Sequence, residues 1–329
     1  MKLITPDSET SRHHLQTLVE LAHAGTSGFA QPQRAILDTL QKIPYETNID
    51  LEAAEPTSLP SLKAHTRTAE EALQLVRLML VVSLADGPPS AEQITMIQKT
   101  ARKLGVHEPA VAVMRLLAEH RMVRFRISFM RRSHLRNYFA NTYRLCGGAG
   151  AVAKGILVFR GILKDVALTE RYRALGELPA DTLGRQFHDH CVDAPIPFPG
   201  EKGGFPEGAV YHDFTHVLSG YDTSPEGEMK AAAFQAGYTR GDWDFFTWLF
   251  ALVIHTAGVN LAPFPMPKLP GRIGQPNLAL EVLHALARGA AISEDLGDGW
   301  DFWDLVEQPI ESVRQQLGIT PIDTSLLAA

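Results

Sequence analysis

The stretch "YHDFTHVLSGYDTSPEGEM", Tyr211 to Met229, gathers two histidines, two aspartates and two glutamates in nineteen residues. On a helix, His212 and His216 stand one turn apart on a shared face, with Asp213 on the same side, three residues before His216. Gly220 suits the end of that helix. Ser224 then reads as the N-cap of a second helix with Pro225 at its first position and acids in its first turn. Two helices joined by so short a loop can fold together and carry Glu228 towards His216. The outcome would be two imidazoles and two carboxylates around one point, a donor set that suits Zn2+ and equally Fe2+ or Mn2+. Such a centre admits water or substrate when one ligand is loose or the coordination number exceeds four. The competing reading is an ordinary polar surface loop.

The elements that would hold this stretch are helices. "LQTLVELAHAG", "QRAILDTLQKI", "AEEALQLVRLMLVVSLADG", "SAEQITMIQKTARKLG" and "EPAVAVMRLLAEH" all space apolar residues by three and four. Gly87 and Gly105 read as stops, and Ser90 precedes a helix whose first turn holds Glu92. Alternation of strand type is confined to Val123–Phe129, which serves equally as the start of an amphipathic helix. The chain is therefore read as all-α: two helical domains joined by a basic linker helix region. The opening part has the plan of a duplication, an apolar helix, a small-residue turn and a second helix, written once in "LVELAHAGTSGFAQPQRAILDTLQ" and again in "LMLVVSLADGPPSAEQITMIQKTA". The proline- and glycine-rich "DAPIPFPGEKGGFPEG" must be a long loop. "WDFFTWLFALVIHTAGV" is apolar on nearly every face, so it is either buried centrally or lines a cavity.

With 329 residues, 45% of them apolar and 21% charged, the chain is long enough for two folded domains. Two distant cysteines, Cys146 and Cys191, offer neither a disulfide framework nor a cysteine zinc site. No signal peptide or membrane-spanning run is read, and a cytoplasmic location is expected. The formal charge of −6 argues against a general nucleic-acid binder, but the charge is uneven. From His120 to Lys164 there is no Asp or Glu, against ten Lys and Arg, including Arg121, Arg124, Arg126, Arg131, Arg132, Arg136 and Arg144. Phe125, Ile127, Phe129, Tyr138 and Phe139 interleave them. A basic amphipathic stretch fits an anionic membrane surface at about 1 kcal/mol per well-placed base; it fits equally a bridge paired with acids of the flanking domains.

Other polar groups have plainer alternatives. His188, Asp189, His190 and Cys191 would crowd one another as ligands of a single ion; a pocket-lining role suits His188 or His190 better. His255 lies within an apolar helix, where a core histidine is the ordinary case and a pocket position the alternative. Trp248 and Leu252 are core residues or contacts for an apolar chain.

Two resemblances add to this. "LADG" followed by "SAEQ" and "LG" resembles the tellurite-resistance TerB-like helical family over roughly residues 10 to 120; Asp86 and Glu92 are the acids that match its metal-binding pattern, a weak second metal site beside the reading of Asp86 as a turn cap. The pattern HDxxH, eleven residues, then Glu, together with "LPADTLGRQFHDHC", "HVLSGYDTSPEGEM" and "WDLVEQPIESVRQQLGI", resembles the coenzyme Q (ubiquinone) biosynthesis protein family over roughly 165 to 320. The expected organisation is then a TerB-like domain at 1–120, a basic amphipathic linker at 121–164, and a metal- and lipid-binding helical domain at 165–329. The second resemblance implies a metal, usually zinc, on His212, Asp213, His216 and Glu228. It also implies a channel for a prenylated lipid or quinone precursor, peripheral membrane association and a homodimer, with other quinone-biosynthesis proteins as partners. The activity implied lies at C1 of a polyprenylbenzoate ring, where the carboxyl is removed or replaced, as by a decarboxylase or C1-hydroxylating enzyme. The alternative is a non-catalytic lipid-binding scaffold. A phosphohydrolase of the His-Asp type would need ligands spread further along the chain.

Overall fold

The computed structural model describes residues 1–25, 28–133, 135–194, 196–241, 243–261 and 270–323. Among these residues it is all-α. The helices are α1 (Ser8–His23), α2 (Gln31–Lys42), α3 (Leu59–His65), α4 (Ala69–Ser83), α5 (Ala91–Leu104), α6 (Pro109–Ala118), α7 (Met122–Met130) and α8 (Leu135–Leu145), then α9 (Gly148–Phe159), α10 (Val166–Arg173), α11 (Leu183–Asp193), α12 (Tyr211–Ser219), α13 (Pro225–Tyr238), α14 (Asp244–His255), α15 (Leu278–Ala290) and α16 (Ile310–Leu317). Val123–Phe129, where the alternation allowed either reading, is helical within α7. The chain divides into two units, both discontinuous in sequence: the first is Lys2–Phe129 with Trp248–His284, the second Met130–Thr247 with Met1 and the segment from Ala285 onward.

Local chemistry sets many of the boundaries. Asp7 accepts from the Thr10 amide at 2.9 Å to start α1. Ser90 caps α5, and its reciprocal partner is Gln93 in a capping box, next to Glu92 in the same first turn. Gly105 ends α5 in the left-handed region at φ 75°. In the first unit Leu15, Leu18, Leu75, Leu78 and Met79 are fully buried along α1 and α4. The apolar run of α14 is buried from Phe245 to Ile254 except at Phe250; it begins at Asp244 and stops at His255, shorter than the apolar composition extends.

In the second unit an aromatic core forms around Phe214. Its ring lies 4.4 Å from Phe187 and 4.5 Å from Phe302, centroid to centroid, with Trp300 edge-on at 5.8 Å. This core fixes the inner side of α12. Helix α13 meets the end of α15 at glycine on both sides: a Cβ on Gly289 would stand 1.9 Å from the Phe234 carbonyl oxygen, and one on Gly237 2.5 Å from the Ala290 nitrogen. Only a hydrogen fits at either position, so the two backbones lie in direct contact there. That contact sets the register of α13, on which Glu228 rides.

Candidate metal centre

Helix α12 supplies two imidazoles and α13 a carboxylate. The turn between them forms as its residues dictate. Gly220 ends α12 at φ 79°, Ser224 accepts from the Gly227 amide at 3.0 Å, and Pro225 opens α13. The far end of α12 is held by two arginines. Arg314 donates to the carbonyls of Leu218 and Val217, both at 2.9 Å, and Arg288 donates to that of Ser219 at 3.2 Å. These are the carbonyls a helix end leaves without partners, and a cation there also complements the negative end of the helix dipole.

Ligand atoms of His212, His216 and Glu228 all lie within 4.8 Å of one another. His216 is buried, and its Nδ1 stands 3.0 Å from the carbonyl oxygen of Tyr221. A carbonyl only accepts, so Nδ1 carries the hydrogen and Nε2 presents a lone pair. That Nε2 is buried without a hydrogen-bond partner and lies 3.6 Å from Glu228 Oε1. His212 is arranged alike, with Nδ1 3.3 Å from Gln235 Oε1 and Nε2 3.6 Å from Glu228 Oε2. At 3.6 Å neither contact is a hydrogen bond. Two oriented imidazole nitrogens and the Glu228 carboxylate thus converge, a group able to hold a divalent cation once the proton on His212 is displaced. The Tyr221 carbonyl and the Gln235 side chain act as the partners that fix tautomer and ring orientation in metal sites. The donor set fits Zn2+, the ion implied by the resemblance, and equally Fe2+ or Mn2+.

The electrostatics agree with a cation there. Burial alone would raise the Glu228 carboxyl, but the two histidines beside it prevail and hold it far below the carboxylate range. Burial would lower His212, yet Glu228 and Asp213 prevail and raise it to about 9, so the position attracts positive charge. Asp213 is buried on the same helix, outside the group of three; burial raises its pKa while His212 and His216 oppose that rise.

Of the other residues singled out in the sequence, His190 comes nearest. Its ring stacks on that of His216 with centroids 5.5 Å apart, its Nε2 is buried without a partner, and burial followed by the charge of His216 brings its pKa down to about 4. His188 turns elsewhere: its Nδ1 lies 3.0 Å from Asp189, and its ring packs near Phe198 at 5.4 Å. Trp248, Leu252 and His255 belong to the first unit, where all three are buried. Asp86 sits in the turn after α4, and exposed Glu92 lines a groove of about 830 Å3 with Glu20 and His23. Among the described residues, neither belongs to a group of three metal-capable side chains. Sequence reasoning passed over Gln235, although its position seven residues after Glu228 places both on one face of α13. It also passed over Tyr221, whose contribution is a backbone oxygen and leaves no mark in a sequence.

No family model matches the chain, and no curated protein matches it. Among solved structures, the chain is similar to a crystal structure from Nostoc punctiforme PCC 73102 described as that of a candidate ubiquinone biosynthesis protein, at 16% identity and a TM-score of 0.32, over 77% of this chain and 100% of that one.

Proposed function

We propose that the second unit is a metal-dependent site for a prenylated aromatic acid or quinone precursor, acting at the ring carboxyl. The observation that carries this is the convergence of two oriented imidazole rings and the Glu228 carboxylate. His212, His216 and Glu228 would hold the ion; Asp213, on the same helix but outside that group, is the fourth ligand that the resemblance implies. A divalent ion there supplies a Lewis acid able to polarise a carboxylate or activate a water. The chain's own groups do the positioning. The Tyr221 carbonyl and Gln235 hold the two ligand rings, and His190, its ring stacked on His216, has a buried Nε2 free to meet a head-group atom. The substrate class rests on the resemblance of the HDxxH-x11-E pattern. The test is to incubate the metal-loaded chain with a polyprenylated benzoate and follow the lipid by mass spectrometry. Loss of the ring carboxyl as carbon dioxide with a proton taking its place, or, when dioxygen is supplied as the oxidant, its replacement by a hydroxyl, is the expected outcome. A lipid retained unchanged points instead to a lipid-binding scaffold, and no retention retires the lipid reading.

A lipid substrate must be met at a membrane. Among the described residues no helix is long and apolar enough to cross one; the proposal is of a peripheral approach. In the second unit Phe139, Tyr143, Ile156, Ile162, Leu163 and Val166 are exposed, between 40% and 60% of each, among exposed Arg136, Arg144, Lys154, Arg160 and Lys164. Part of the basic charge is paired, Arg144 with Asp298 and Lys154 with Asp165, as the bridging alternative requires. The exposed apolar side chains are what that alternative leaves unused. Flotation with anionic vesicles should show binding at low salt that falls as the Debye length shrinks from ~10 Å at 0.1 M to ~3 Å at 1 M. Equal binding to neutral vesicles, or none, would count against a membrane role.

A further inference from the structure

A second convergence of histidines lies in the first unit, independent of the centre on α12 and α13. Glu9 and His13 stand one turn apart on α1, and His65 ends α3. One ligand atom from each lies within 4.8 Å of the others. The histidines are oriented from behind, as at the other centre. His65 Nδ1 is 2.8 Å from the Ser61 carbonyl oxygen, so it carries the hydrogen, and its Nε2 faces Glu9 Oε1 at 3.0 Å. His13 Nδ1 is 2.8 Å from the Thr57 hydroxyl. The two rings are stacked, with centroids 4.1 Å apart and an interplanar angle of 26°.

A lone pair on His65 Nε2 and a carboxylate oxygen repel each other unless a positive charge lies between them. A proton would answer for one ring and place an imidazolium face to face with a second imidazole. A divalent ion answers for both rings and the carboxylate together. We propose that Glu9, His13 and His65 form a second metal site, taking a zinc-type divalent cation on two nitrogens and one oxygen. Glu9 is 61% exposed and His65 28%, so three protein ligands leave a coordination position open to water or to a ligand from outside. The same ion would tie α3 to α1, which already meet through the Thr10 hydroxyl donating to the His65 carbonyl at 2.6 Å. Neither acid of the TerB-like pattern, Asp86 or Glu92, takes part.

The test uses the full chain, stripped by chelator and titrated with Zn2+ alone, with stoichiometry read by calorimetry and elemental analysis. The unaltered chain should take two equivalents. Glu9→Gln and His65→Gln should each lose one or bind it at least about tenfold more weakly, while keeping the equivalent that Glu228→Ala removes. Glu9→Gln alters an exposed side chain, so its result stands even where His65→Gln weakens the fold. The melting temperature of the unaltered chain should rise with the second equivalent, and that rise should vanish in Glu9→Gln. Full stoichiometry at unchanged affinity in both variants overturns the site. Loss of metal in Glu228→Ala alone overturns it too, and leaves the centre on α12 and α13 standing.

Discussion

His216→Ala and Glu228→Ala should each lower metal affinity at the α12–α13 centre by well over tenfold, with the fold retained. His216 is the more informative position. Its Nε2 is buried and without a partner, and its ring is fixed by the Tyr221 carbonyl, so alanine removes an oriented nitrogen that no neighbour replaces. Glu228→Ala removes both oxygens facing the two histidines, which then confront each other without a carboxylate between them. Gln235→Leu should weaken binding less, by about ten- to hundredfold, because it releases the His212 ring without deleting a ligand. Elemental analysis of chain dialysed against a weak chelator is the measurement. Full retention of metal in both alanine variants would show that the ligands lie elsewhere.

The largest loss of stability is expected at Arg288. This side chain is 5% exposed, and its guanidinium donates to the Ser219 carbonyl at 3.2 Å, the Tyr221 hydroxyl at 2.7 Å and the Thr320 carbonyl at 2.9 and 2.7 Å. It also lies over the rings of Tyr221 and Phe234, at 5.3 and 5.5 Å. Alanine would take these donors from the buried Ser219 carbonyl and Tyr221 hydroxyl, at about 2–4 kcal/mol in total. Arg288→Lys should recover part of this, since an ammonium keeps the charge but not the planar fork. Urea denaturation reads the difference, and an unchanged midpoint in Arg288→Ala would refute the account. The same substitution should loosen metal binding, because Arg288 bonds Tyr221 and Tyr221 in turn bonds His216.

What could be read from the sequence was local. His212, His216 and Glu228 are separated by one helical turn and one tight loop, and periodicity with capping chemistry is enough to bring them together. Glu9 and His13 carry the same one-turn signal, but their partner His65 lies 52 residues further on, and no short-range rule links it to them. The arginines that hold α12 could not be recognised either. Arg288 and Arg314 sit on amphipathic helices, where a cation ordinarily faces water, and only the packed structure turns them onto the carbonyls of another helix. The apolar stretch after Trp243 was legible as buried; the segment it would be buried with was not.

That last point bears on how the chain is made. The first unit begins with Lys2–Phe129 but is complete only with Trp248–His284. Phe250 packs 6.2 Å from Phe129, centroid to centroid, Asn260 accepts from Arg126 at 3.3 Å, and Gly274 accepts from the Gln31 side chain. Synthesis from the amino terminus delivers those partners late. At roughly 5–20 residues per second, the early helices wait on the order of ten to thirty seconds for the residues that close their core. During that interval the nascent chain must leave apolar surface uncovered at the ribosome. The second unit, which needs the segment from Ala285 onward, is completed later still, so slower elongation lengthens the exposure of both instead of helping either.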